Sequence, residues 1–159
     1  MEQSKTWQTD ATVNAHALRL FPDNHYVYYR MAQCARKQKD AARAFLLYQK
    51  AIALFEGDYA SHACIAKLYF NKGNLEKTRY HLERSLTHFP QGEELTLASL
   101  GEIYALSNDP TIHDPVRGLE LLDRAINMSP RPDYLHVALQ TAISLNRQDL
   151  IKKYQQLLH

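Results

Sequence analysis

The chain has 159 residues, of which 45% are hydrophobic and 23% charged, and its formal net charge is +2. A chain of this length can form one domain or a short solenoid, and its 5 glycines and 6 prolines are too few for a β-sandwich with many tight turns. No stretch approaches the ~18 apolar residues of a membrane span, residues 1–10 contain no signal-peptide core, and so small a charge disfavours nucleic-acid binding.

Charge is distributed unevenly along the chain. Residues 1–80 hold 12 Lys and Arg against 7 Asp and Glu, a net of +5, whereas residues 81–159 hold 7 against 10, a net of −3. Chance and solvated helix faces are one explanation. The alternative is that the N-terminal half prefers an anionic partner, because a basic surface attracts negative charge.

The first predicted helical hairpin covers residues 25–56. Apolar residues recur at three- and four-residue spacing from Tyr28 to Ala35, and a second apolar stripe follows over residues 44–54. Such spacing is that of an amphipathic helix. The polar residues 37–40 between the stripes predict a short turn, so the unit is helix, turn, helix.

The same unit returns after 34 residues, in residues 59–90. The positions that show this interval are Pro22, Glu56 and Pro90, and also Ala17, Ala51 and Ser85. Gly73 stands at the turn, where a left-handed residue ends a helix at low cost, and Pro90 ends the second helix. One hairpin of this length cannot bury its apolar face alone, so the period predicts an all-α stack of helix pairs.

The third predicted hairpin covers residues 94–130 and is longer than the first two. It closes 40 residues after the second instead of 34, and most of the extra residues lie in a lengthened turn at residues 108–115. In that turn Asp114 is placed to cap the next helix, and Pro115 suits the first helical turn.

Residues at equivalent positions of the three units follow one pattern of small residues, large residues and, in the second and third units, a proline at the end. They are Tyr28, Met31, Ala32, Ala44, Tyr48 and Ala51 in the first unit; Ile65, Ala66, Tyr69, Gly73, Leu82, Ser85 and Pro90 in the second; and Leu100, Gly101, Tyr104, Gly118, Leu122, Ala125 and Pro130 in the third. Three units of this kind resemble the tetratricopeptide repeat (TPR) family, with Glu56 as a departure from the closing proline. The resemblance implies a single right-handed α-α superhelix of about four hairpins over residues 1–159, with a protein-binding role.

Both ends of the chain depart from the repeat. Residues 6–22 match only the second half of a unit, either as a capping helix with Trp7 over the end of the stack or as the start of a fragment of a larger protein. Residues 133–159 form a degenerate fourth unit with Lys152 where a small residue is usual, which predicts a cap.

A second resemblance favours the fragment. It rests on Trp7, Gln8, Thr9, Asp10, Leu18, Phe21 and Pro22, and on Tyr104, Asn108, Asp109, Pro110, Asp114 and Gly118 in the third unit. These residues resemble the TPR tail of multi-pass membrane glycosyltransferase-like proteins. That resemblance implies a recruiting domain on the extracytoplasmic, periplasmic side, whereas a native full-length chain would be cytoplasmic.

In TPR proteins the first helices line a concave groove, and the resemblance carries its positions over to this chain. The groove residues predicted in this way are Tyr26, Tyr29, Arg30, Gln33, Arg36, Lys37, Ala63, Lys67, Phe70 and Glu102. The family's clamp for a C-terminal carboxylate needs Lys and Asn where this chain has Tyr29 and Gln33, so that mode is not expected. Tyrosines and basic residues instead predict a protein or peptide partner of acidic or polar character. Alternatively, Tyr26 and Tyr29 only pack on a preceding helix.

No catalytic residue, metal site or cofactor is predicted. His81 and His88 lie two helical turns apart on one helix, but no carboxylate or cysteine joins them at ligand spacing, so a solvated face is expected. His113 has no nucleophile identifiable nearby. Cys34 and Cys64 are expected to be partly buried thiols, because no second pair completes a zinc site.

The sequence therefore predicts a non-enzymatic module that binds a peptide or protein segment in its groove. The alternatives are the recruiting domain of a membrane-bound glycosyltransferase-like protein and a self-stacking module that forms homo-oligomers. Repeats that read RNA would need similar polar residues at equivalent positions of each first helix. Those positions hold Tyr29, Ala63, Ala98 and Val137, so no nucleic-acid partner is expected.

Overall fold

The computed structural model describes residues 12–158 and is helical over most of this range. The first helix, α1, includes residues 12–20. The others are α2 (His25–Lys37), α3 (Ala41–Leu54), α4 (Tyr59–Phe70), α5 (Leu75–His88), α6 (Glu94–Leu106), α7 (Pro115–Met128), α8 (Pro132–Ser144) and α9 (Gln148–Leu157). No helix in this part of the chain is long and apolar enough to cross a membrane. Trp7 and the start of the predicted half repeat at residues 6–22 lie outside the described residues.

The chain divides into two compact units, Met1–His88 (unit 1) and Phe89–His159 (unit 2). In unit 1, α2 packs most extensively on α3 and α4 on α5, and α3 joins the two pairs. In unit 2, α6 packs on α7 and α8 on α9, with α7 against α8. Helix pairs that pack on their sequence neighbours are the repeat architecture predicted from the period, so the all-α repeat fold is confirmed. The single solenoid and its repeat boundaries stay predictions.

Short polar side chains begin five of the helices. The side chains of Asn24, Asp40, Asp58, Asn74 and Asp114 each accept a hydrogen bond from a backbone N–H in the first turn of the helix that follows. A cap of this kind stabilises a helix by about 1 kcal/mol. The Asp114 cap and Pro115 in the first turn of α7 are both as the sequence predicts.

Three hairpin turns use a left-handed residue at the same place. Lys39, Gly73 and Asn146 have φ angles of 62°, 72° and 54°. In each case the next residue donates its N–H to a carbonyl five residues earlier, at 2.9–3.1 Å. The 34-residue interval therefore equates Lys39 with Gly73 in backbone conformation, although only glycine adopts it without steric cost.

Replacing Gly73 with alanine is expected to lower the free energy of unfolding of unit 1 by about 1 kcal/mol, because a Cβ is strained at this φ. A Cβ there would meet nothing within 4 Å, so backbone strain is the whole effect. Lys39→Gly should act in the opposite direction. Urea denaturation followed by circular dichroism measures both, and an unchanged midpoint for Gly73→Ala would contradict the strain argument.

Each unit has a core of fully buried side chains. In unit 1 the core combines Tyr48 and Ile65 with the small residues Ala32, Ala35 and Ala44. In unit 2 the largest fully buried side chains are Leu97, Leu100, Leu122, Ile126, Leu135 and Tyr154. Small and large side chains together therefore fill the space between these helices.

The degenerate fourth unit is attached by a polar contact. The hydroxyl of Tyr154, which is 0% exposed, donates to Asp123 Oδ1 on α7 at 2.8 Å, and Lys153 Nζ donates to the same oxygen at 2.6 Å. These hydrogen bonds outweigh the effect of burial and hold the pKa of Asp123 below its usual value. Lys152 itself points to solvent.

Candidate functional site

Helix α2 presents the tyrosines of the predicted groove. The Asn24 side chain accepts the backbone N–H of Tyr26 at 3.0 Å and so sets where the helix begins. The rings of Tyr26 and Tyr29 stack with centroids 6.0 Å apart, and Tyr29 also leans on the buried Tyr48 at 6.1 Å. Tyr26 is 55% exposed, whereas Tyr29 is half-buried. Of the two, Tyr26 offers an open ring, and Tyr29 belongs partly to the core.

A chain of polar contacts links α2 to α4. The Arg36 guanidinium donates twice to Gln33 Oε1, at 3.2 and 2.9 Å. Gln33 Nε2 in turn donates to Cys64 Sγ on α4 at 3.4 Å. The Gln33 amide is thus engaged at both ends, and it links the two helices that carry the predicted groove residues.

Helix α4 completes this surface with one cation and one aromatic ring. The buried Asp58 caps the helix, accepting from the N–H and hydroxyl of Ser61 at 3.1 and 2.9 Å. From that start Ala63, Lys67 and Phe70 fall on one face, since they are four and three residues apart. Lys67 is exposed, Phe70 is 56% exposed, and Ala63 is half-buried.

We call the surface formed by these parts of α2 and α4 the basic face. It consists of Tyr26, Tyr29, Arg30, Gln33, Arg36, Lys37, Ala63, Lys67 and Phe70. Neither helix contains an aspartate or glutamate. Within residues 12–158 no carboxylate pairs with Arg30 or Lys67, and both side chains are exposed. Because neither helix contains a carboxylate, the four cations Arg30, Arg36, Lys37 and Lys67 give the basic face a positive charge.

Glu102, the tenth predicted groove residue, lies in unit 2 on α6. It is half-buried, and burial raises the pKa of its carboxyl, with Asp133 adding to the rise and Arg131 opposing it. The neighbouring positions are the exposed Leu95 and the buried Ala98 and Ala105. The equivalent positions of unit 2 are therefore acidic and apolar, unlike the basic face.

The polar residue Asn14 of unit 1 was not among the residues predicted from the sequence. Asn14 on α1 is only 7% exposed and donates its amide to Cys34 Sγ at 3.5 Å. Both cysteines are half-buried thiols, as expected, but their amide partners could not be read from a linear pattern. The one available signal was an asparagine inside an apolar helical stripe, which calls for a polar partner when it is buried.

The histidines differ from the expected solvated face. His88 is exposed, but His81 is half-buried and lies 3.0 Å from the buried His62, measured between their Nδ1 atoms. The prediction of a solvated face was wrong for His81, because His81 contacts His62 of the neighbouring helix α4. The spacing of residues along α5 cannot indicate a partner on another helix. Within residues 12–158 no three His, Cys, Asp or Glu side chains are grouped so as to hold a metal ion.

No protein-family model matches the chain, and no curated protein matches it significantly. Several solved structures are significantly similar to it. The chain is similar to pilF of Pseudomonas aeruginosa, with a TM-score of 0.71 at 14% identity over 98% of this chain and 69% of that one. It is also similar to MamA, with a TM-score of 0.70 at 11% identity over 99% and 83% of the two chains. A third similar structure is a MamA RS-1 double mutant, with a TM-score of 0.67 at 13% identity over 99% of this chain and 93% of that one.

Identities this low show the fold and leave function open. The glycosyltransferase resemblance and the self-stacking alternative stay predictions. PilF and MamA contain tetratricopeptide repeats, and nearly the whole length of this chain superimposes on both. The chain therefore has the fold of the tetratricopeptide repeat proteins.

Proposed function

We propose that this protein is a non-enzymatic interaction module whose basic face binds an acidic segment of a protein or peptide. The observation that carries the proposal is the composition of that face. Exposed rings at Tyr26 and Phe70 stand beside the unpaired cations Arg30 and Lys67, on two helices that lack any carboxylate. Aromatic and arginine side chains are the usual anchors of protein interfaces.

Electrostatics and shape act together in this mechanism. The cations attract an acidic segment and raise its association rate, whereas the rings supply apolar contact once it is bound. The Arg36–Gln33–Cys64 chain holds α2 and α4 in place before binding, so little ordering of the surface is needed. Binding should accordingly weaken as salt concentration rises.

The test uses immobilised peptide libraries of equal length that are acidic, neutral or basic. We expect the acidic library to be retained, and the double variant Arg30→Ala/Lys67→Ala to lose affinity about tenfold or more, as expected for two interfacial anchors. Arg43→Ala/Lys50→Ala is the matched control, because it removes two exposed cations from α3 with the same change in net charge. Equal retention by the two double variants would refute the assignment of the face.

A third variant tests the aromatic contribution. Tyr26→Ala is preferable to Tyr29→Ala, since Tyr29 packs against Tyr48 and its removal would also disturb the core. We expect Tyr26→Ala to weaken binding of acidic peptides while leaving the thermal midpoint unchanged. If the acidic and basic libraries bind equally well to the wild-type protein, the proposed charge preference is wrong.

A further inference from the structure

A pair of histidines joins the two helices of the α4–α5 hairpin in unit 1. His62 on α4 is 2% exposed, and His81 on α5 is half-buried. Their Nδ1 atoms are 3.0 Å apart, and His62 Nε2 lies 3.2 Å from the backbone carbonyl oxygen of Glu56. The pair thus ties α5 to α4 and, through Glu56, to the segment that precedes α4.

The positions of the protons follow from the partners. A carbonyl oxygen can only accept, so His62 Nε2 carries the hydrogen and donates it to Glu56. Neutral His62 then has a lone pair at Nδ1, and His81 must donate from its own Nδ1. A first added proton can go only to His81 Nε2. A second would have to go to His62 Nδ1, where it would face the N–H of His81 and break the hydrogen bond between the rings.

The surroundings resist added positive charge. On the α5 side, His88 stacks on His62 with centroids 6.3 Å apart, while Arg84 and Lys77 bring further positive charge. From the segment before α4, the Asp58 carboxylate opposes this effect at His62, and it already contacts His25 of α2 at 3.2 Å. The Glu56 carboxylate pairs with Arg84.

Two aromatic rings contact His81. Tyr69 of α4 lies nearly parallel to His81, at 5.6 Å and 15°, and Tyr80 of α5 meets the same ring edge-on at 5.1 Å. From α3, Phe45 packs edge-on against Tyr69 at 5.5 Å. The partial burial of His81 among these side chains and the full burial of His62 make charging the imidazoles costly.

We propose that the His62–His81 pair is an acid-sensitive latch, which holds α4 against α5 at neutral pH and releases the hairpin as the pH falls. Burial lowers the pKa of both imidazoles, and for His81 the adjacent His62 and Lys77 add to the effect, giving a value of about 4. The released hairpin takes up protons near the ordinary value of 6.5, whereas the latched hairpin does not. The latch is therefore at full strength above that value and weakens between it and about 4.

The latch bears on binding through α4, which carries Lys67 and Phe70 of the basic face. An acid-loosened α4 would misplace both side chains and release a bound acidic segment. This consequence alone rests on the proposed function, since opening of the hairpin is measured without any ligand.

Hydrogen exchange with mass spectrometry on the full chain, at about pH 7.5 and about pH 5, tests the latch after correction for intrinsic exchange rates. We expect the opening equilibrium of residues 59–88 to rise about tenfold or more at the lower pH. The α6–α7 hairpin, residues 94–128, is the internal reference and should change much less. A similar rise in both hairpins would indicate general acid destabilisation and overturn the proposal.

The decisive variant is His81→Asn, because asparagine can still donate a hydrogen bond to His62 but cannot become charged. We expect it to remove most of the pH dependence, whereas His16→Asn, at an exposed position of α1, should retain it. Should His81→Asn fail to fold, NMR titration of the wild-type histidines decides the matter. Folded His62 or His81 titrating at the ordinary value would overturn the latch, and resistance to protonation down to about pH 5 would support it.

Discussion

Replacing Tyr48 with alanine is expected to lower the free energy of unfolding of unit 1 by about 3–5 kcal/mol. Tyr48 is 0% exposed, and its ring packs on Tyr29 and on the small residues Ala32 and Ala44. Removing the ring would leave a cavity, and the neighbouring alanines cannot fill it because their side chains are a single methyl group. Urea denaturation at neutral pH measures the loss, with hydrogen exchange assigning it to unit 1.

Two matched variants separate ring volume from other effects of the Tyr48 substitution. Tyr48→Phe keeps the ring, so it should cost less than about 1 kcal/mol. Burial and the neighbouring Cys64 thiol raise the pKa of the Tyr48 hydroxyl well above its ordinary value, so no charge is lost with it. Tyr80→Ala removes a tyrosine that is 52% exposed and should cost much less than Tyr48→Ala. Equal losses for Tyr48→Ala and Tyr80→Ala would contradict this description of the core.

The second large effect is expected for Gly118→Ala in unit 2, with a loss of about 2–3 kcal/mol. A Cβ at Gly118 would lie 2.8 Å from both the Ala105 backbone nitrogen and the Gly101 carbonyl oxygen. Because the obstructing atoms belong to the backbone of α6, the two helices must separate and unpack their shared core. Thermal unfolding and hydrogen exchange over residues 94–128 should both report the loss.

Gly57→Ala is the control for this substitution. Its Cβ would meet the ring of Phe55 at 2.6 Å, but that ring is 51% exposed and can turn away. The cost should therefore stay within about 0.5 kcal/mol of zero. A full-size loss at Gly57, or none at Gly118, would show that the contact between the backbones of α6 and α7 does not limit stability.

Close helix packing could be predicted from the repeat, but its degree could not. The equivalent positions of the three hairpins hold Ala32 with Ala44, Ala66 with Thr78, and Gly101 with Gly118. The sequence indicates small residues at each. Only the tertiary structure shows that the backbones of α6 and α7 are in contact at Gly101 and Gly118. The distance between the two helices depends on every side chain that lies between them.

The lengthened turn at residues 108–115 was also predicted only in part from the sequence. Its position at residues 108–115 and the Asp114 cap are local features, and both agree with the sequence-based prediction. Its internal order depends on Asp109, whose side chain accepts from the N–H and hydroxyl of Thr111 at 2.9 and 2.7 Å. Ile112 is 6% exposed, so the insertion adds a residue to the core of unit 2.

For the candidate site, the helix that carries each residue could be predicted from the sequence. Which of these side chains are exposed, and so able to contact a partner, could not. Tyr26 and Tyr29 are equivalent in a linear pattern, yet one is open and the other leans on Tyr48. Gln33 is predicted as a contact residue, and in the structure its amide also hydrogen-bonds with Arg36 and Cys64. Side-chain partners from another helix decide availability, and no spacing rule encodes them.

The sequence by itself determined the period, the helix pairs, the Asp114 cap and the left-handed turn at Gly73, because each depends on a local pattern of residues. The tertiary structure decided the Gln33–Cys64 contact between α2 and α4, the Gly101–Gly118 contact and the His62–His81 pair. Each of these joins atoms from different helices. Their energies depend on burial and on distances of about 3 Å, which arise only when the hairpins pack.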